Sequence, residues 1–301
     1  MLPLPRPTLD ARKVYETCIS NARPARVRTA LQQVADQVAA AAAAYTEAAT
    51  KGELHTLAAL QHQPEGKPSK KSDKDQPKTI NDHLKATYTS RMVHEKSKGR
   101  VFYNILLAAA PDGRCTLCGQ GLADTLDHQL PKDGYPLFAV APDNLVPACR
   151  SCNTNKRDDV AVVAEEQTLH PYFDTDVNKY IWLVARVSAP FPPAVTFHAE
   201  PPSSMPLVLA ARVRHHFSSL QLARTYGPQA APELRTLNRS LKRLAPPAAS
   251  QHLHELAEDW TVEQPNSWQA ALYRALAASC WYAWEVSGGP DATARSAKAD
   301  G

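Results

Sequence analysis

The 301-residue sequence has no long hydrophobic run. No stretch approaches the roughly 18 uninterrupted apolar residues of a membrane-spanning helix, which excludes a transmembrane protein. The N-terminal segment MLPLPRP lacks the charged, apolar and small-residue regions of a secretory signal, so we expect a cytoplasmic location. The segment that begins GKPS at Gly66 lacks the earlier glycine of a phosphate-binding P-loop, so any ATP dependence would require a partner protein.

The sequence also has little net charge, only +4, but this charge is unevenly distributed. Between Lys67 and Arg100 there are ten Lys or Arg residues and four Asp or Glu residues, a surplus of six positive charges. Such a basic stretch on a nearly neutral body favours a polyanionic partner, because neutralised phosphates supply most of the non-specific affinity for nucleic acid. The alternative is a solvated linker that happens to be rich in lysine.

Cysteines are few, six in all, yet four of them form two C-x-x-C pairs. In a cytosolic chain thiols stay reduced, and four thiolates close a tetrahedral metal site, so this pattern predicts structural zinc rather than disulfides. The predicted ligands are Cys115, Cys118, Cys149 and Cys152. Cys18 and Cys280 stand alone in helical patterns, where we expect buried free thiols.

Most of the chain has helical patterns. Apolar residues recur every three or four positions between Val27 and Val38, which predicts a long helix that ends near Gly52. The stretch 63–78 has no large apolar residue and should form a mobile loop. Tyr180–Val187 and Ala194–Glu200, with prolines between them, predict a β-hairpin.

Three helices are predicted in the C-terminal third of the chain. Leucine-rich patterns place one helix through Leu209 and Leu220, a second through Leu234 and Leu244, and a last one from about Asn266 to Trp284. These patterns are typical of a helical bundle. The residues after Gly288 are small and polar, which predicts a disordered tail.

Polar residues of the kinds that hydrolyse phosphodiesters lie within and just after the cysteine segment. Its sequence contains TLDHQLPK at 125–132, DNLVPAC at 143–149 and CNTNK at 152–156. This combination resembles that of HNH endonucleases, the ββα-metal nuclease family, over residues 115–157. The resemblance implies a nuclease that hydrolyses DNA and uses a catalytic divalent ion, Mg or Mn, in addition to the structural zinc.

The predicted fold class is therefore α+β and mostly helical, with a small ββα-metal (HNH) module stabilised by zinc. The predicted segments are an N-terminal helical region (1–110, with the mobile basic loop 63–78), the HNH module (111–175), a β-hairpin (176–200), a C-terminal helical region (201–288) and the tail (289–301).

His128 and Asp127 carry the predicted chemistry. Phosphodiester hydrolysis needs a water nucleophile, an acceptor for its proton and a cation for the charge that develops on the phosphate. The ordinary pKa of histidine, about 6.5, makes His128 the natural general base. Asp127 supplies a hard oxygen ligand for the divalent ion. Neighbouring strand residues point to opposite faces, so both side chains can serve one phosphate only if the backbone is bent or bulged there.

The resemblance assigns roles to further residues. Asn144 would hold the backbone that carries His128, and Asn153 would be the second protein ligand of the divalent ion. The residues expected to contact nucleic acid are Lys132, Lys156 and Arg157. His170, in the segment HPYFD, is a candidate supporting residue, although packing beneath the module is the simpler interpretation. Each of these residues also has an ordinary structural role available to it, such as a turn former or a helix cap.

Two interpretations of different classes remain open. The first is a metal-dependent DNA endonuclease, and the second is a non-catalytic zinc-stabilised nucleic-acid-binding module. The layout of the whole chain resembles HNH proteins of bacterial anti-phage systems of the Septu or retron-associated kind, which implies an ATPase partner and a role as nuclease effector. A free-standing restriction-type or mobile-element nuclease is the alternative, and either could form a homo-oligomer. No membrane association is expected.

Overall fold

The computed structural model describes residues 1–57, 78–156, 160–189 and 193–288, with the exception of the Cys280 side chain. The chain divides into two compact units, Met1–Thr175 and Asp176–Gly301. Helices predominate and two small antiparallel sheets accompany them, which confirms the predicted α+β class. None of the described helices combines the length and the apolar character needed to cross a membrane.

The first unit contains helices and one two-stranded sheet. Its elements are α1 (Ala11–Ile19), α2 (Ala25–Gln33), α3 (Ala35–Lys51), α4 (Ile80–Arg91), α5 (Arg100–Ala108), β1 (Thr125–His128), β2 (Leu145–Ala148) and α6 (Arg150–Lys156). The predicted N-terminal helical region and the cysteine module thus belong to the same unit. Most of the predicted mobile loop, 63–77, lies outside the described residues, as do Arg157 and the tail 289–301.

The predicted long helix is interrupted. Val34 leaves helical geometry, with φ −99° and ψ 6°, and so separates α2 from α3. The predicted end is confirmed, because Gly52 follows α3 at φ 72° and its N–H is bonded to the carbonyls of Ala48 and Ala49. Glycine adopts this left-handed conformation without the steric cost that a Cβ would add. The apolar periodicity continues across the break, so it gave no sign of the interruption.

A β–β–α arrangement forms the centre of the first unit. Strands β1 and β2 pair antiparallel, with Asp127 opposite Val146 and His128 opposite Leu145, and α6 contacts β1. Leu126 and Leu145 are buried in one hydrophobic core together with residues of the helices that precede them, including Tyr88 and Leu106. Burial of this shared apolar surface explains why the helices and the sheet form one compact unit.

The second unit is built on a β-hairpin and five helices in the described residues. Its elements are β3 (Leu183–Ser188), β4 (Ala194–Ala199), α7 (Leu207–Ser219), α8 (Leu222–Leu241), α9 (Pro246–Glu263), α10 (Trp268–Ala278) and α11 (Cys280–Ser287). The predicted hairpin is confirmed, with Leu183 opposite Ala199 and Ser188 opposite Ala194. Residues 190–192 of its predicted turn lie outside the described residues.

The helices of the second unit differ from those predicted. Helix α9 was not predicted, and the predicted last helix is two helices, α10 and α11, because Ser279 leaves helical geometry at φ −92° and ψ 86°. Asn266, which precedes α10, is buried and accepts hydrogen bonds from the start of the hairpin. Its Oδ1 accepts hydrogen bonds from the N–H groups of Trp182 and Leu183 at 2.8 and 3.1 Å, so one side chain joins a helix to β3.

Candidate functional site

The four predicted zinc ligands come together. The Sγ atoms of Cys115, Cys118, Cys149 and Cys152 all lie within 4.8 Å of one another, and the four cysteines are free of disulfides. Three are buried and Cys149 is partly exposed. Four thiolates at zinc–sulfur bonds of about 2.3 Å around a tetrahedral ion would be nearly 4 Å apart. The 4.0 Å between Cys118 Sγ and Cys149 Sγ fits that arrangement.

The loop after Cys118 is shaped around the sulfur atoms. The backbone N–H groups of Gln120 and Gly121 donate to Cys118 Sγ at 3.4 and 3.3 Å, and such donors favour the thiolate form that binds zinc. At Gly121 a Cβ would lie only 2.8 Å from Cys149 Cβ and 2.9 Å from its Sγ, so a larger residue would displace that ligand. The four-cysteine cluster could therefore hold a zinc ion.

A polar pocket of about 420 Å³ lies beside β1 and α6. Its lining includes Asp127 and His128 from β1, Lys132 from the following loop and Asn153 from α6. The structure thus brings three of the four predicted catalytic residues, together with one predicted nucleic-acid contact, to one cavity. The backbone was predicted to be bent or bulged here. Both residues line the pocket although pairing with β2 continues without a bulge to His128, the last residue of β1.

His128 is held as a neutral imidazole. Its Nε2 lies 2.9 Å from the backbone oxygen of Ala139. A carbonyl oxygen can only accept, so Nε2 carries the proton and Nδ1 keeps its lone pair. The pKa of His128 is lowered to about 3, mainly because the surrounding residues desolvate it. The positive charges of Lys132 and Lys156 also lower this pKa, and the hydrogen bond to Ala139 opposes the change.

The segment that follows His128 is anchored by Asn144, which is fully buried. Its Oδ1 accepts from the Leu130 N–H at 2.7 Å, and its Nδ2 donates to the carbonyl oxygens of Leu130 and Phe138 at 3.0 and 3.2 Å. The side chain therefore lies behind the pocket and not in it. Asn144 holds the loop that contains Ala139, the hydrogen-bond partner of His128.

Lys156 has a different environment from the one predicted. Its Nζ is 2.7 Å from Asp127 Oδ2 and also donates to the backbone oxygen of His128. Both members of the ion pair are buried, with only 8% and 4% of their side chains exposed. Lys156 was expected to contact a phosphate, but in this structure its ammonium group is engaged with Asp127 and His128. Lys132, by contrast, keeps 28% of its side chain exposed beside the pocket.

His170 is a structural residue rather than a member of the pocket. It is 1% exposed, its Nδ1 accepts from the Tyr172 N–H at 3.3 Å, and its Nε2 lies 3.0 Å from the Tyr45 hydroxyl. Tyr172 in turn donates its hydroxyl proton to the Leu145 carbonyl at 2.9 Å. Since Leu145 pairs with His128, this segment supports β2 from behind. The packing interpretation of HPYFD agrees with these contacts.

One residue of the pocket has no signal in the sequence. Tyr88, on α4, lines the cavity, and its ring centroid lies 4.3 Å from that of His128 at an interplanar angle of 72°. Its hydroxyl donates to the Leu126 carbonyl at 3.0 Å. Tyr88 is far from the cysteine segment along the chain, and no sequence pattern links it with His128. Only the packing of α4 on β1 reveals the contact.

The oxygen donors around Asp127 are suited to a hard cation. A carboxylate, a backbone carbonyl and the side-chain amide of Asn153 are the donor types that magnesium and manganese accept. In this structure two of these donors, Asp127 Oδ2 and the His128 carbonyl, hold the ammonium cation of Lys156. Asp127 and Asn153 could therefore hold a divalent ion, provided that it shares or replaces that contact.

The described residues therefore form an α+β protein in which a candidate zinc centre lies next to a polar pocket. The chain is 29% identical to protein ea31 of Escherichia phage lambda over 213 residues, which is 65% of this chain and 72% of that protein. It is 28% identical to the Septu protein PtuB of Bacillus thuringiensis over 106 residues, 34% of this chain and 40% of PtuB. No family model matches the chain, and no solved structure matches it significantly.

Proposed function

We propose that this protein is a metal-dependent HNH endonuclease that hydrolyses phosphodiester bonds in DNA. The observation that carries the proposal is the meeting of Asp127, His128 and Asn153 in one polar pocket beside the four-cysteine cluster. Each residue alone has an ordinary structural explanation. The convergence of a carboxylate, an amide and a neutral histidine on one cavity is what phosphodiester hydrolysis requires.

In the proposed reaction His128 is the general base. Its Nδ1 lone pair accepts a proton from water, and the resulting hydroxide oxygen bonds to phosphorus as the bond from phosphorus to the leaving sugar oxygen breaks. The proton on Nε2 stays on that nitrogen, and its hydrogen bond to the Ala139 carbonyl oxygen fixes the ring's tautomer. A divalent ion bound by Asp127 and Asn153 would supply the positive charge that stabilises the phosphate and the leaving oxygen. Lys132, at the pocket, would bind a neighbouring phosphate.

The test is plasmid cleavage by the purified protein with Mg²⁺ or Mn²⁺. We expect wild type to convert supercoiled plasmid into nicked or linear DNA, and His128→Ala to lose this activity because no base replaces the imidazole. The matched control is His254→Ala, which replaces an exposed histidine on α9 and should cleave like wild type. Equal cleavage by wild type and His128→Ala would overturn the assignment of the base.

Binding without cleavage would favour the second candidate, a zinc-stabilised nucleic-acid-binding module. That module needs only basic residues and the cysteine cluster, whose four Sγ atoms lie within 4.8 Å of one another. A binding module does not explain why Asp127, His128 and Asn153 line one pocket. We therefore prefer the nuclease. Wild type that binds DNA in EDTA but cleaves none with either metal, both alone and together with its co-purified partner, would establish the module.

For the biological setting, we propose a defence or mobile-element context. The similarity to a Septu protein and to a phage protein supports it. We further propose that the protein is the nuclease effector of a bacterial defence system and acts with an ATPase partner. The alternative is a free-standing restriction-type or mobile-element nuclease, and either could form a homo-oligomer. Expression with its genomic neighbours, followed by affinity purification and size measurement, tests this point. A protein that protects cells from phage only with intact His128 would support the effector role.

A further inference from the structure

The ion pair between Lys156 and Asp127 lies at the centre of the pocket's chemistry. Lys156 is the last described residue of α6. Its ammonium contacts two oxygen atoms from neighbouring residues of β1, Asp127 Oδ2 and the His128 carbonyl. Both charged side chains are more than nine-tenths buried. Proteins rarely bury such groups without partners, because each charge loses most of its hydration.

The donors that hold this ammonium are the ones a divalent ion would use. Carboxylate and carbonyl oxygens bind both –NH₃⁺ and hard metal ions, so one set of atoms serves two kinds of cation. Asn153, the other predicted metal ligand, lies three residues before Lys156 on α6 and therefore on the same side of the helix. A metal ion at Asp127 and the Lys156 ammonium would be close neighbours of like sign.

We propose that Lys156 is the internal counter-ion of Asp127 and competes with the divalent cation for that carboxylate. With no metal bound, its single charge neutralises the buried aspartate. A divalent ion takes the carboxylate by displacing the ammonium, so Lys156 weakens metal binding and sets the metal concentration at which the site fills. This inference rests on the proposed function, since it concerns the same metal site.

The competing interpretation is that Lys156 only ties α6 to β1. The two interpretations predict opposite effects of removing the charge. A purely structural tie, once cut, would loosen Asn153 and weaken metal binding. A competing counter-ion, once removed, would leave Asp127 with an uncompensated negative charge, which strengthens the attraction for a divalent ion.

The test is titration with Mn²⁺ alone, with free Mn²⁺ measured by electron paramagnetic resonance. We compare wild type, Lys156→Met and the double variant Asp127→Asn/Lys156→Met, after confirming their zinc content and circular dichroism. Methionine is unbranched and only one atom shorter than lysine, and it carries no charge. We expect Lys156→Met to bind Mn²⁺ about tenfold more tightly than wild type or better, and the double variant to lose this gain. Unchanged or weaker binding by Lys156→Met would overturn the inference.

A second measurement uses the wild-type protein and does not depend on the folding of a variant. Lys156 should be protected from an amine-reactive reagent in EDTA and become labelled when Mn²⁺ displaces it, as read by mass spectrometry of its peptide. Lys13, an exposed lysine of the same unit, should be labelled equally in both conditions. Labelling of Lys156 that does not respond to Mn²⁺ contradicts displacement.

These outcomes separate the inference from the proposed function. If wild type cleaves DNA but Lys156→Met binds Mn²⁺ no more tightly, the nuclease assignment stands and the counter-ion role fails. If wild type cleaves neither alone nor with its co-purified partner, yet Lys156→Met gains a Mn²⁺ site that requires Asp127, the counter-ion role stands and the nuclease assignment fails.

Discussion

The ring of Tyr88 packs edge-to-face with the imidazole of His128, with the two centroids 4.3 Å apart. Tyr88 belongs to α4, so a helix from the N-terminal part of the chain forms one wall of the candidate active site. The same tyrosine is hydrogen-bonded to the Leu126 carbonyl on β1. The lining of the pocket thus includes one residue, Tyr88, from outside the segment 115–157 that resembles HNH nucleases.

The first prediction concerns this aromatic contact. If His128 is the general base as proposed, Tyr88→Leu should lower the rate of plasmid cleavage by about 100-fold, because an imidazole displaced by an ångström is no longer aligned with the attacking water. Tyr88→Phe is the matched control. It keeps the ring on His128 and loses only the bond to Leu126, at a cost of about 1 kcal/mol in stability. Similar cleavage rates for the two variants would show that the ring does not position His128.

The second prediction concerns the cysteine cluster. Purified protein should contain one zinc ion per chain, measured by inductively coupled plasma mass spectrometry. Cys118→Ser should lose the zinc and melt at a lower temperature. A bound metal stabilises the folded state because the unfolded chain holds it far more weakly. Cys18→Ala, which changes a buried cysteine outside the cluster, should keep its zinc. Full zinc content in Cys118→Ser would contradict the four-thiolate site.

The third prediction concerns Asn144. Asn144→Ala leaves the buried N–H and carbonyl of Leu130 without their side-chain partner and removes one of the two donors to the Phe138 carbonyl, and should lower the free energy of unfolding by about 3 kcal/mol. Urea denaturation measures this loss. Asn104→Ala, an exposed site on α5, should change it by less than about 0.5 kcal/mol. A loss of activity in Asn144→Ala at unchanged stability would instead indicate a role in the chemistry.

The fourth prediction concerns Asn266 in the second unit. Asn266→Ala removes the acceptor shared by the Trp182 and Leu183 N–H groups and should destabilise this unit by about 2 kcal/mol or more. Tryptophan fluorescence during urea denaturation follows the effect. The zinc content should not change, because the cysteine cluster belongs to the first unit. Loss of zinc in this variant would mean that the two units unfold together.

The fifth prediction concerns Lys132 and salt. Affinity for a DNA duplex, measured in EDTA by fluorescence anisotropy, should fall as salt rises, since bound phosphates release counterions. Lys132→Gln should reduce the slope of log affinity against log salt by about one. Lys13→Gln, on α1, should leave the slope unchanged. An unaltered slope in Lys132→Gln would show that this lysine does not contact phosphate.

The spacing of residues in the sequence predicted the metal cluster and the β-hairpin. The two C-x-x-C pairs predicted a cluster that the structure contains, and the hairpin was placed within a few residues. Two predictions failed for one reason. Apolar periodicity reports which face of a helix is buried, but it continues unchanged across the breaks at Val34 and Ser279. Helix α9 was not predicted because the apolar patterns that were used covered only α7, α8, α10 and α11.

The sequence by itself determined the types of chemical group available: four thiols with zinc spacing, an adjacent Asp127 and His128, and amides at Asn144 and Asn153. Only the tertiary structure decided what surrounds them. In it, Tyr88 packs on His128, Asn144 lies behind the pocket and Lys156 forms an ion pair with Asp127. The physical reason is that residue type and spacing define what a side chain can bind. Its actual partner depends on which buried charges and polar groups meet when distant elements pack.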